Sequence, residues 1–303
     1  MKYKQSISVL VIIIALFASA ATAMGIFSND GQGQYEYKSI RGKMVTIYGK
    51  GLYKDMSAEV APQGIAQDYI TLFAGIPLLM IALFVARKGS LKGKYLLAGT
   101  LGYFLVTYLF YTVMGMYNKM FLAYVVLMGA SFYAFLITLL SFGSNNLKDN
   151  FKASTPVKAT GGFLIFNSIA IGLLWLSILI PPLLDGSVIP VQVEHYTTMI
   201  VQGLDLGILL PAAFICGLLL MKKQPLGYLL APAYFVFLSL LMTALTAKVV
   251  AMLSLGYNVG PLIFIIPTFN VITIACTVIV LQNVRGKNSL TKKRNYEKVA
   301  YAE

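Results

Sequence analysis

The stretch Val201–Lys223, VQGLDLGILLPAAFICGLLLMKK, is too apolar and too continuous for the surface of a water-soluble fold. A helix rising about 1.5 Å per residue needs roughly 20 such residues to cross a bilayer core. Ala66–Lys88, AQDYITLFAGIPLLMIALFVARK, has the same layout: polar residues at the start, a proline in the middle and a basic pair as a stop. Comparable runs recur along the chain. Charged residues make up only 12% of the sequence, against roughly a quarter in an average soluble protein. Lipid offers the backbone no hydrogen bonds, so only helices and closed barrels span it, and these runs are too long for barrel strands. The fold class is therefore all-α, a polytopic membrane protein with about eight transmembrane helices.

The spans read as Ser6–Phe27, Asp68–Val85, Tyr95–Met116, Met120–Phe142, Gly162–Leu183, Thr198–Met221, Leu226–Leu253 and Val259–Leu281. The chain divides into a first helix (1–27), a polar loop (28–65), helices two to four (66–142), a basic loop (143–161), helices five to eight (162–284) and a basic tail (285–303). The first run has two readings. Lys2 and Lys4 before it and Ala21-Thr22-Ala23 near its end suit a cleaved signal peptide, but its apolar stretch through Phe27 is long enough for a retained helix. In the polar loop, Met44–Tyr53 reads as two β-like runs around Gly49-Lys50-Gly51, a small extracytoplasmic hairpin. A lone hairpin is marginal in water, so it must rest on the helix ends.

The net charge of +13 would suggest nucleic acid in a soluble domain. Here Lys2, Lys4, Arg87, Lys88, Lys92, Lys94, Lys148, Lys152, Lys158, Lys222, Lys223 and the tail lysines and arginines all fall on one side of the eight spans. The short loops of the other side carry only Lys119. The positive-inside rule then places both termini in the cytoplasm, and the expected partner is the lipid bilayer rather than nucleic acid. Cys216 and Cys276 both lie inside apolar runs and form no disulfide or metal pattern, and no cofactor motif appears.

An internal repeat is visible. Gln67 to Arg87 spans the same distance as Gln202 to Lys222, and Tyr95-Leu96-Leu97-Ala98 is matched by Tyr228-Leu229-Leu230-Ala231. Pro77 and Pro211 are offset by one in that register. Either apolar helices share common letters by chance, or helices one to four and five to eight are two parallel copies related by an axis along the membrane normal.

Polar residues inside the spans carry the functional reading. Asp205 lies about two turns inside the sixth helix, with Gln202 three residues earlier on the same face. Burying an aspartate at mid-membrane costs about 2.5–3.5 kcal/mol, so such a residue faces the bundle interior and has a partner. Lys248, in the next, antiparallel helix, is the natural one, either as a salt bridge that fixes helix register or as part of a solute site; snorkelling to the headgroups is a third reading. Gln67 and Asp68 open the second helix, where a carboxylate suits the helix N-terminus. If the repeat holds, Gln67/Asp68 and Gln202/Asp205 face one outer cavity from the two halves, and with Glu194 and His195 just before the sixth helix they would make a polar vestibule on the outer side.

The loop TIYGKGLYKDM, the AQD–TL–PLL helix, the MYN–FL–Y turn and the LDLG–P helix resemble a group of uncharacterised bacterial multi-pass membrane proteins. The resemblance covers most of Thr46–Val125 and Val201–Pro232 and implies a bacterial cytoplasmic membrane, but no activity. The expected function is binding or transport of a small-molecule solute at the Asp205, Lys248, Gln202, Asp68, Gln67 and His195 cluster. The alternative is a sensor or assembly partner working through the outer loop. No catalytic constellation marks the chain as an enzyme.

Overall fold

The computed structural model of the chain describes residues 2–143 and 147–285. The tail from 286 onward, read above as a basic topology anchor, lies outside the described residues. Among the described residues, eight helices are long and apolar enough to cross a membrane: α1 Lys4–Phe27, α2 Val60–Arg87, α3 Leu91–Val113, α4 Phe121–Leu140, α5 Val157–Leu184, α6 Ile200–Met221, α7 Pro225–Ser254 and α8 Leu262–Gln282. The fold is an all-α multi-pass bundle suited to a lipid environment. Two short strands, β1 Tyr35–Lys38 and β2 Met44–Ile47, pair antiparallel in a small cap over the α1–α2 side.

The hairpin differs from the sequence reading. Its turn is Ser39–Lys43, closed by Ser39 N–H to the Lys43 carbonyl at 2.8 Å, and Gly42 takes a φ of +78° that favours glycine. Gly49-Lys50-Gly51 is not the hairpin turn. It leads into a 3₁₀ turn, Gly51–Tyr53, whose Leu52 and Tyr53 are buried. Their burial against the helix ends draws the segment inward, away from a free hairpin.

The second helix also starts earlier than its hydropathy indicates, at Val60 instead of Asp68. Its first turns carry Pro62, Gln63, Gly64 and Gln67, and pack against α1 and α7 rather than lipid. Asp68 is therefore not a helix-start residue; it lies more than two turns inside the helix and is 1% exposed.

α2 and α6 share an unusual break. A π-helical turn occupies Thr71–Gly75 in α2 and Asp205–Leu209 in α6. Each precedes a proline, Pro77 or Pro211, at the second position of the α-segment that follows. A proline inside a helix lacks the N–H and crowds the carbonyl four residues back, and the wider turn accommodates it.

The break fixes the register of the repeat. Thr71 and Asp205, Ile76 and Leu210, Pro77 and Pro211, Arg87 and Met221, and Leu91 and Pro225 are each 134 positions apart. So are Gly93 and Gly227, which make the same close approach. Gly93 sits against the backbone of Val85 and Ala86, and Gly227 against Leu219 and Leu220. The anchor Gln67–Gln202 is thus one residue out: Gln202 corresponds to Asp68, and Asp205 to Thr71. The halves meet where α3 packs on α7. There Gly99 lies against the Ala233 carbonyl, its own counterpart in the other half, and a methyl group on Gly99 would overlap it. Small residues allow such close backbone approach between membrane helices.

Candidate functional site

The polar residues singled out in the spans fall into two environments. In the first half they form a closed network. Tyr53, delivered by the 3₁₀ turn of the cap, donates its hydroxyl to Asp68 Oδ2 at 2.5 Å. The Tyr111 hydroxyl lies 3.2 Å from Asp68 Oδ1 and 3.0 Å from the Gly64 carbonyl, so it divides one hydrogen between them. Gln67 donates Nε2 to the Tyr103 hydroxyl at 2.7 Å and to Thr107 Oγ1 at 3.3 Å. Thr71, the first residue of the π turn, donates its hydroxyl to the Gln67 carbonyl at 2.9 Å. Tyr103, Thr107 and Tyr111 recur every four residues on α3 and so share one face. Gly25 of α1 is required here, because a side chain at that position would overlap the Asp68 carboxylate and crowd the Tyr53 hydroxyl.

Tyr53 lies outside the spans, and burial, reinforced by the neighbouring Asp68, holds its phenol well above its usual range. It therefore remains a neutral donor. Rings of Tyr53, Tyr108 and Tyr124 surround Tyr111 at centroid distances of 6.2, 5.9 and 5.3 Å.

The second half is arranged differently. Asp205 is half-buried, and its Oδ2 accepts from Trp175 Nε1 of α5 at 2.9 Å. Lys248 is within electrostatic reach of both Asp205 and Asp68. It pairs with neither: the one ion pair among the described residues joins Lys119 and Asp30 at 3.8 Å. The salt bridge that is one reading of Asp205 and Lys248 does not form; the carboxylate instead takes the indole N–H on one oxygen. Gln202 is half-buried and makes no side-chain hydrogen bond among the described residues. Around this group the packing is loose. The cap-side part of α6 barely touches α3, whereas the corresponding part of α2 packs along α7. Likewise α5 barely touches α8, whereas α1 and α4 pack along each other. A methyl group added at Gly203 or Gly207 would meet no atom.

His195 belongs to neither group. It sits under the cap, with Nε2 3.0 Å from the Asp55 carbonyl, its ring 4.4 Å from that of Tyr196 and edge-on to Tyr37. The cap is clasped to this α5–α6 loop by Arg41, which donates to the carbonyls of Tyr196 at 2.8 Å and Thr197 at 2.9 Å. Beside it, Glu194 adopts a φ of +49°, uncommon for a residue with a side chain. Burial pushes its carboxyl above the ordinary carboxylate range. The expected vestibule thus separates into a cap contact and an intramembrane group.

The hydrogen-bond partners Tyr53, Tyr103, Tyr111 and Trp175 stand outside the polar cluster expected from the sequence. The stripe Tyr103, Thr107, Tyr111 was readable from its spacing, and Trp175, the single tryptophan, stands in mid-run rather than at an interface. The described residues include no group of three or more His, Cys, Asp or Glu side chains able to hold a metal ion. The chain matches no protein family, no curated protein and no solved structure.

Proposed function

We propose that this is a bacterial cytoplasmic-membrane protein, with cytoplasmic termini and the cap outside, that binds a small polar solute at Lys248, Asp205 and Gln202 and carries it across the membrane. One observation supports this above the rest. The Lys248 ammonium and the Gln202 amide stand inside the spans without hydrogen-bond partners among the described residues, in the loosely packed half of the bundle, whereas the Asp68 carboxylate and the Gln67 amide of the other half are both hydrogen-bonded. Unpaired polar groups at membrane depth are costly, and a ligand that meets them repays that cost. The π turn Asp205–Leu209 supplies a joint about which the cap-side end of α6 swings to admit and enclose the solute.

The test is a thermal-shift screen of the purified full chain against amino acids, polyamines, small carboxylates and inorganic anions. A compound that raises Tm should lose its effect in Lys248→Met and Asp205→Asn and keep it in Tyr53→Phe. A screen without any shift, or one whose shift survives both span variants, overturns the reading. Recovery of the single-mutant losses in the double mutant would mark the two residues as a structural pair instead.

The Arg41 clasp favours a second reading, a sensor that works through the cap. A partner bound to the cap would pull on the α5–α6 loop that leads directly into α6. Cross-linking that captures one protein with the intact chain, and not after Arg41→Ala, supports this alternative.

A further inference from the structure

A second site lies away from Lys248 and Asp205. A cleft of about 350 Å³ opens on the cap side, between the end of α1, the Gly51–Tyr53 turn and the start of α4. Its charged lining is Lys54, Lys119, Asp30 and Asp55, two cations and two anions in one small space. The floor is rigid. Gly51 takes a φ of +59° and donates to the Asp30 carbonyl at 2.6 Å, and Leu52 N–H donates to Ser28 Oγ at 2.7 Å. The rim is apolar and open: Tyr117 is 78% exposed and Leu122 74%. Phe27, at the end of α1, is exposed at the same level. Behind the floor, Met24, Met56, Met114, Met116 and Met120 form a soft apolar cluster with Leu52 and Tyr53.

We propose that this cleft binds the headgroup of a zwitterionic aminophospholipid from the leaflet on the cap side, the phosphate on Lys119 and Lys54 and the ammonium on Asp30 and Asp55. Charge complementarity argues for it. A purely anionic headgroup would meet two carboxylates, and a purely cationic ligand two ammoniums. Size agrees, since the volume is at the small end of ligand sites and fits a headgroup. Position decides between a lipid and a soluble phosphoamine: Leu122 on the rim is the second residue of α4 and exposed Phe27 is the last of α1, both where spans end, so acyl chains descend along the helices. An exposed tyrosine at that level suits the interface. Lys119 and Asp30, exposed and 3.8 Å apart, form a weak surface pair that a headgroup can enter.

The experiment adds short-chain phosphatidylethanolamine, phosphatidylglycerol, phosphatidylcholine or free phosphoethanolamine to the detergent-solubilised full chain and follows Tm. Phosphatidylethanolamine should raise Tm by several degrees, phosphatidylcholine by less because its methylated amine has no N–H, and the other two hardly at all. Lys54→Ala with Lys119→Ala, and separately Asp30→Asn with Asp55→Asn, should each remove most of the shift. An equal response to phosphatidylglycerol, an equal response to free phosphoethanolamine, or a shift that survives either pair of substitutions overturns the proposal. A photoreactive residue at Leu122 gives a readout independent of stability: it should cross-link phosphatidylethanolamine in mixed vesicles in excess of its mole fraction, and cross-linking in proportion to composition counts against the site.

Discussion

The two halves of the bundle share one plan and use it differently. Both place a π turn before a proline in their second helix, and both press a glycine of the third helix onto the end of the second. In the first half the buried Thr71 hydroxyl at the start of the turn is hydrogen-bonded, Asp68 accepts from tyrosine hydroxyls, and the helices close on each other. In the second half Asp205 occupies the place of Thr71, no residue of the π turn is buried, and α5 and α8 stand apart. The difference teaches where the fold is held and where it is free. A buried carboxylate with hydrogen-bond donors fixes its surroundings, whereas half-exposed polar groups without partners leave theirs adjustable.

The comparison rests on the α3–α7 junction, and the largest effect is expected there. Gly99→Leu would drive a side chain into the Ala233 carbonyl and Val236. We expect a loss of about 3 kcal/mol, the upper end for overpacking, read from unfolding in mixed micelles. A loss as small as that of a lipid-facing substitution would mean that the halves do not pack through this contact.

The next test sets the two aspartates against each other. Asp68→Asn places an amide NH₂ in a network whose neighbours are built to donate, and should cost about 2 kcal/mol. Asp205→Asn, half-exposed and with a single donor in Trp175, should cost about 1 kcal/mol or less. Equal losses would erase the distinction between a closed and an open half. Tyr53→Phe sharpens it further. Removing the shortest hydrogen bond to Asp68 should cost about 1–2 kcal/mol, and cap proteolysis should accelerate with it, because the same residue ties the cap to α2.

Much of the fold was legible because bilayer physics writes it in plain letters: long apolar runs, basic stops, few charges. What failed to show did so for physical reasons. Val60–Gln67 is helical but too polar for a lipid-facing span, since it packs on protein, so hydropathy missed it and misplaced Asp68 at a helix start. The partner of Asp68 comes from the cap, and the partner of Asp205 from another helix. Such contacts depend on tertiary approach, which no local spacing reports. The repeat was readable, but the π turn and the proline set its register, and matching the glutamines put it one residue out.

The smallest expected effect concerns the cap and its clasp. Glu194 is partly buried in the α5–α6 loop, and that burial holds its carboxyl above the ordinary value. The docked loop therefore retains a proton that the released loop gives up. Below the ordinary carboxylate range both forms are protonated, and docking is at full strength. As pH rises from that range to the raised value, the released form ionises first and docking weakens; above it the penalty is constant. The hydrogen-exchange protection of the 185–199 loop, taken relative to the intrinsic base-catalysed rate at each pH, should accordingly fall from acid toward neutral pH in the wild-type chain. Glu194→Gln should flatten that dependence and raise protection at neutral pH, while leaving the response of α6 to a bound solute unchanged. An unaltered pH profile in the variant would assign the dependence to another group under the cap. A changed solute response would show that the cap contact and the intramembrane group act together, against the separation that the structure draws between them.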